Sequence, residues 1–256
     1  MKPRNIPMTI AEYEAMASPF GWKVEYWDGQ AHFTPRGIGV TTRIDLTSDA
    51  LPPRNSRLPH TLVPVDACHA EQMTAGYVEV FSASVEFCGW PLADIEQSAQ
   101  RDIRHYFSGE RGGSLPASVI ALAPDSQQLA GLALFILKQN QKPHLELLYV
   151  KSQFQRQGIA TAMVRSGIDS LINAGFNELF STYHVCNLDS QQWHHQFGFQ
   201  DIYDAYYVRL RIGWLNREIW RREKLEIVEG LNALVEERDH WQSELDAGKH
   251  QYGDEF

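Results

Sequence analysis

Residues 155–164 read QRQGIATAMV, and they follow, four residues on, the apolar run LELLYV at 145–150. A strand leading into a helix needs a turn, and Gly158 serves it. Turning alone does not require the polar trio Gln155, Arg156 and Gln157. The first N–H groups of a helix have no intrahelical acceptor, and the helix dipole favours negative charge at that end. Gly158 lets a bulky anion approach the backbone with no Cβ in the way. Arg156 adds a full positive charge, and the two glutamine amides can donate further hydrogen bonds. The pattern is that of an anion-binding arrangement, though by itself a plain strand-to-helix turn can also carry such a glycine.

The surrounding chain sets bounds on what such a corner serves. Its 256 residues are 43% hydrophobic and 11% aromatic, enough for a core. A net charge of -9 argues against a general nucleic-acid or anionic-membrane binder. No apolar run approaches the roughly 18–20 residues that cross a bilayer, and MKPRNIPMTI lacks the apolar stretch of a signal peptide. Cys68, Cys88 and Cys186 are odd in number and include no C-x-x-C, which fits free thiols in a reducing compartment. The expected location is the cytoplasm.

Periodicity divides the chain. Thr9 and Glu12 form a capping-box pattern, and Asp28-Gly29 between residues 23–27 and 30–33 signals a two-residue hairpin. Residues 39–47 read as another strand. LPPRNSRLP at 51–59 carries three prolines and predicts a linker, with a domain boundary near residue 58. Beyond it, 61–66, 118–123, 131–138, 145–150, 178–186 and 203–212 read as strands, and 68–84, 92–107, 158–174 and 188–196 as helices. Ile159, Met163, Val164, Ile168, Leu171 and Ile172 share one helical face, with Gly175 as its stop. The predicted fold class is α/β or α+β, with strands and helices layered over residues 59–212. Residues 1–58 form an accessory segment and 213–256 a C-terminal helix and tail. In that helix, expected over 214–245, Trp220, Ile227, Leu231, Leu234, Trp241 and Leu245 keep a heptad-like spacing interrupted by Lys224 and Arg238. It packs on its own domain or forms a homodimer seam.

A second segment makes the corner specific. Twenty-nine positions after Gly158 comes NLDSQQWHHQFGF, residues 187–199. It resembles the N-x-x-A-x-x-(F/L)-Y-x-x-x-G-F segment of the GNAT acetyltransferases, with Asn187, Gly198 and Phe199 in register. Residues 148–150 followed by Gly158 are similar to that family's motif A, (Q/R)-x-x-G-x-(G/A). The resemblance spans roughly residues 60–212. It implies a mixed, mostly antiparallel sheet flanked by helices, acetyl-CoA as acyl donor, no metal, and a small-molecule or peptide amine as acceptor. The diphosphate would sit on the amides of Gln155, Arg156, Gln157, Gly158, Ile159, Ala160 and Thr161. The pantetheine arm would pair with the strand edge at Leu148, Tyr149 and Val150, near Asn187.

Acyl transfer to an amine needs a base, because an alkyl ammonium has a pKa near ~10. Glu146 is the candidate, four residues before Val150 as in diamine-type members. Strand alternation places it with Leu148 and Val150 among apolar neighbours that would raise its pKa. Histone-type members carry the glutamate where this chain has His144. His194 stands where the family has the tyrosine that protonates the leaving thiolate. It is the candidate general acid, although an imidazole with a pKa near ~6.5 is partly deprotonated at neutrality. His195 is about 100° further round the helix. His184, Cys186, His194 and His195 lack the spacing of a closed zinc site.

Two rival readings stand beside this one. KVEYWDG at 23–29 faintly resembles the opening of Uma2-type endonucleases, but no Asp or Glu stands two residues before any lysine, as their magnesium site demands. Trp22, Tyr26, Trp27 and Phe33 are expected to pack on the second domain or wall the acceptor pocket. The other rival is a non-catalytic acyl-CoA sensor or scaffold, kept open by His194.

Overall fold

The computed structural model describes residues 4–47, 51–53, 58–124, 126 and 128–250. The elements in chain order are β1 (Arg4–Pro7), α1 (Ile10–Ala15), β2 (Trp22–Trp27), β3 (Gln30–Pro35), β4 (Gly39–Asp45), β5 (Thr61–Pro64), α2 (Ala70–Phe81), α3 (Leu92–Ser108), β6 (Gly113–Ser114), β7 (Val119–Leu122), β8 (Leu129–Leu137), β9 (Pro143–Val150), α4 (Ile159–Asn173), β10 (Glu178–His184), α5 (Leu188–Phe197), β11 (Gln200–Ile202), α6 (Ala205–Lys224) and α7 (Leu231–Asp246).

Two sheets result. The small one, in order β1-β3-β2, closes around the Asp28-Gly29 hairpin, and Thr9 and Glu12 cap α1 reciprocally as expected. The large sheet runs β11-β4-β10-β9-β8-β7-β5, with β6 on β8. It is antiparallel except between β9 and β10. Helices α2 and α3 cover one face, where Met73, Tyr77, Ile103 and Tyr106 meet Leu132, Leu134 and Tyr149. On the other face Ile159, Met163, Val164, Ile168 and Leu171 of α4 join Phe197 of α5 over Ala133, Phe135 and Leu145. Ile172, expected on that buried stripe, is 41% exposed.

The boundary near residue 58 does not separate two domains. β4 lies upstream of it, yet β4 is an interior strand of the large sheet, paired antiparallel with β10 from Gly39 to Asp45 and with β11 on its other side. Alternating Val40, Thr42 and Ile44 are its buried positions, so burial rather than chain order decides where the strand goes. The N-terminal aromatics also depart from expectation. Phe33 is buried in a satellite core of its own with Val24 and Ala31, and Trp22 packs against it. Trp27 is half-exposed, stacked on His32 with ring centroids 3.5 Å apart.

The C-terminal region is a helical hairpin rather than one helix. α6 begins at Ala205, capped by Asp204, so residues expected as a strand are helical. A turn with left-handed Glu226 (φ 55°) and Gly230 (φ 68°) sends α7 back along α6, clamped by a bidentate Arg211–Glu237 pair at 2.7 and 3.0 Å. The heptad-like seam is thereby divided between two helices that face each other. α6 in turn holds the N-terminal segment, with Trp214 Nε1 donating to the Ser18 carbonyl at 2.7 Å and Arg221 to that of Ala15 at 2.8 Å.

Candidate functional site

A bulge shapes the strand at the centre of the sheet. β8 and β9 align Leu134 with Leu147 but Phe135 with Leu145, so Glu146 is the extra residue. The faces of β9 change there: Leu145, Leu148 and Val150 pack with α4, whereas Leu147 and Tyr149 pack with α2 and α3. β10 runs parallel to β9 only at Phe180–His144 and Ser181–Leu145, and then the two strands part. Lys151 N–H donates to the Ala130 carbonyl at 2.9 Å. By the two-residue alternation of an antiparallel ladder, Leu148 and Val150 then turn their peptide groups away from β8, into the gap that β10 has left.

The residues at the end of that strand edge form an amide-lined corner. The first intrahelical bond of α4 runs from Ala162 N–H to the Gly158 carbonyl at 2.9 Å, and no side chain caps this helix. The N–H groups of Gly158, Ile159, Ala160 and Thr161 are left without intrahelical acceptors. Gly158 (φ 78°) and Arg156 (φ 61°) are both left-handed, and for a non-glycine residue that conformation costs about 1–2 kcal/mol. Such strain concentrates where a backbone clamps a ligand. Residues 155–158 are exposed, and the Arg156 guanidinium has no ion-pair partner among the described residues. The glutamines depart from expectation: Gln155 Nε2 donates to the Val150 carbonyl (3.0 Å) and Gln157 Nε2 to that of Gln153 (3.4 Å). They shape the loop, and each keeps one amide hydrogen for other partners.

Tyr149, expected at the ligand edge, turns its peptide groups toward β8 and its side chain toward α2. Its hydroxyl is buried and donates to the Met73 carbonyl at 2.6 Å. Asn187 uses both ends of its side chain: Oδ1 accepts from Ser190 N–H to cap α5, and Nδ2 donates to Glu86 Oε1 at 2.7 Å.

Glu146 does not share a face with Leu148 and Val150, nor does it sit among apolar groups. The bulge turns it toward α3, where its Oε1 accepts from Arg111 at 3.2 Å, and Arg111 also donates to Asp102 at 2.8 Å. Nothing in the SGERGG turn announces Arg111 as its partner; only the fold brings positions 111 and 146 together.

His194 is buried, and both ring nitrogens are engaged. Nδ1–H donates to the Ser190 carbonyl at 2.7 Å, which leaves Nε2 to accept from the Ser181 hydroxyl at 2.9 Å. Burial pushes its pKa down. A ring so held has no proton to give a thiolate, so the general-acid expectation is not met. Instead it fixes Ser181, the residue of β10 at the point where the strands divide. His195, as expected, points elsewhere, to Asp201 at 3.0 Å. Among the described residues no group of three or more His, Cys, Asp or Glu is placed to hold a metal ion, and no helix is long and apolar enough to cross a membrane.

His144, at the position of the histone-type glutamate, is 3% exposed, stacked near Phe180, and its Nε2 has no hydrogen-bond partner. Burial, reinforced by Lys138, pushes its pKa down to about 3 from the ordinary 6.5. Between those values the unfolded chain binds a proton that the folded chain excludes, so stability falls as pH drops through that window. From pH 7 to pH 5 the expected loss is about 2 kcal/mol, with His194 adding in the same direction. Urea unfolding at both pH values checks this, and His144→Phe should flatten the dependence.

The fold is a layered α/β one, a mixed and mostly antiparallel sheet flanked by helices. Residues 79–199, from the end of α2 to the residue before β11, match the acetyltransferase (GNAT) family and form a domain of that family. Among solved structures, the chain is similar to a GCN5-related N-acetyltransferase from Sphaerobacter thermophilus (16% identity, TM-score 0.45, covering 64% of this chain and 48% of that one). It is also similar to an aminoglycoside N-acetyltransferase in complex with CoA (19%, TM-score 0.44, 60% and 95%). A third is a GNAT-family acetyltransferase from Staphylococcus aureus Mu50 (13%, TM-score 0.45, 56% and 86%). The chain thus spans about half the length of the Sphaerobacter protein. No curated protein matches it by sequence.

Proposed function

We infer that the chain is an acetyl-CoA-dependent N-acetyltransferase acting on a primary amine. The observation that carries this is the row of unpartnered amides at 158–161, placed at the end of the β9 edge that β10 leaves open. A diphosphate accepts from those amides and from the loop at 155–157, with Arg156 supplying charge. The pantetheine amides pair with the peptide groups of Leu148 and Val150, as an added strand would. That places the thioester near the vertex at Leu145 and Ser181, where strand N–H groups can receive the developing oxyanion. The amine nitrogen attacks the thioester carbonyl carbon. Glu146 takes the ammonium proton before attack; the C–N bond then forms, the C–S bond breaks, and the remaining surplus N–H proton passes through water to the leaving thiolate. Free Cys68, Cys88 and Cys186 fit a reducing, cytoplasmic setting.

The engaged His194 favours one second reading, acyl-CoA binding without turnover. Release of free thiol from acetyl-CoA with amine acceptors separates the two. For the donor itself, acetyl-CoA or CoA at 100 Kd should stabilise the protein by about 2.7 kcal/mol, and ATP should do markedly less. Gly158→Ala, forcing a Cβ onto a left-handed residue in the phosphate corner, should weaken CoA binding about tenfold while costing about 1 kcal/mol of stability. Equal stabilisation by ATP, or none by CoA, refutes the donor.

A further inference from the structure

The loop at 82–91 joins α2 to α3. On one side Phe81, the last residue of α2, meets Tyr149 of β9 edge to face, with ring centroids 6.3 Å apart. On the other side Glu86 Oε1 accepts from Asn187 Nδ2 at 2.7 Å, just beyond the end of β10. Residues 81–86 therefore run from Tyr149 of β9 to Asn187, beyond the end of β10.

Glu86 is the only acidic residue in that loop, and its second oxygen is anomalous. Oε2 is covered and has no hydrogen-bond partner among the described residues, and no Lys or Arg pairs with the carboxylate. A carboxylate oxygen withdrawn from water without a donor is costly, and a persistent one calls for an external donor. Nearby His184 accepts from Cys186 N–H with its Nδ1 (3.1 Å), and burial lowers its pKa. Among the described residues no Lys or Arg pairs with Glu86. Next to it in sequence, Phe87 meets Trp90 edge to face at 5.1 Å, and Trp90 is 50% exposed. A carboxylate and aromatic rings carried on one loop are the groups that recognise a cationic amine.

We propose that Glu86 Oε2 receives the protonated amine of the acceptor, whose carbon chain lies along Phe87 and Trp90. The acceptor is then a cationic alkyl amine, and Glu86 is its recognition residue. This rests on the acetyltransferase reading and adds the substrate class to it.

Glu86→Gln isolates the point. The Gln carbonyl keeps the bond from Asn187, while Oε2 becomes an NH2 that repels an ammonium. The full chain, supplied with acetyl-CoA, is titrated with spermidine, n-butylamine and lysine amide, with n-butanol as the neutral control, and acetylation is followed by thiol release. The native protein should respond to at least one amine and not to butanol. In Glu86→Gln that response should weaken about tenfold or more, through KM rather than kcat, with CoA binding and Tm unchanged. An undiminished response in the variant overturns the proposal alone, whereas no response to any amine in native protein that binds CoA overturns it together with turnover and leaves acyl-CoA binding standing. Native protein that fails to bind CoA overturns the acetyltransferase reading and this one together.

Discussion

Glu146→Gln is expected to lower kcat about a hundredfold or more, with CoA affinity unchanged. The bulge in β9 is the reason to single this residue out. Because Glu146 is the one position of β9 with no counterpart on β8, its side chain escapes the alternation that would bury it under α4. It projects instead on the side where α2, α3 and their connecting loop lie, next to the last pair joining β9 to β10. Arg111 steadies one carboxylate oxygen at 3.2 Å and leaves the other for an incoming N–H. Glutamine is nearly isosteric and keeps an acceptor toward Arg111, whose charge is also answered by Asp102 at 2.8 Å. A drop in kcat therefore reports loss of the proton acceptor rather than collapse of the site. Single-turnover rates with pre-bound acetyl-CoA measure the chemical step directly. A native rate in the variant places the base elsewhere. Paired with Glu86→Gln, the substitutions separate two roles: one should act on kcat, the other on KM.

Local signals were legible in the chain because local physics decides them. The Asp28-Gly29 hairpin, the Thr9–Glu12 box and the apolar stripe of α4 each depend on residues a few positions apart, and each formed as the pattern predicts. The amide-lined corner at the start of α4 was readable for the same reason, since a strand, a loop and a helix start are contiguous. Residues 203–212 misled because two periods coexist in them. Val208, Leu210 and Ile212 alternate like a strand, while Ala205, Val208, Ile212, Leu215 and Ile219 follow a helical stripe. Burial of the second set and the Asp204 cap settle the matter as α6. The entry of β4 between β10 and β11 was not legible, because alternation says that a strand is half-buried but not which strand it pairs with. Glu146 shows how little separates right from wrong: one bulge residue reverses the face that alternation assigns. Glu86 and Ser181 gave no signal at all, since their meaning lies in partners 101 and 13 positions away.

Gly167→Val should destabilise the protein by about 3 kcal/mol. Gly167 is where α4 lies closest to the sheet. A Cβ there would stand 2.4 Å from Phe135 Cζ, 2.5 Å from Cε2 and 3.1 Å from the Ala117 carbonyl oxygen. The ring is wholly buried, among the largest fully buried side chains, so it has no room to swing away. On the other flank the obstacle is backbone, so the helix cannot simply slide. Valine recovers roughly 0.3–0.5 kcal/mol of helix propensity over glycine, far less than overpacking costs. The lifted helix should also carry its amides at 158–161 away from the β9 edge, so CoA affinity should fall although Gly167 is remote from the ligand corner. Phe135→Leu removes the ring atoms that collide and by itself costs about 1 kcal/mol for the cavity. In the double variant the valine fills that space. The two losses should therefore fail to add by at least about 1 kcal/mol, with CoA binding recovering in parallel. Strict additivity in urea unfolding would mean that α4 and β8 do not meet at this contact.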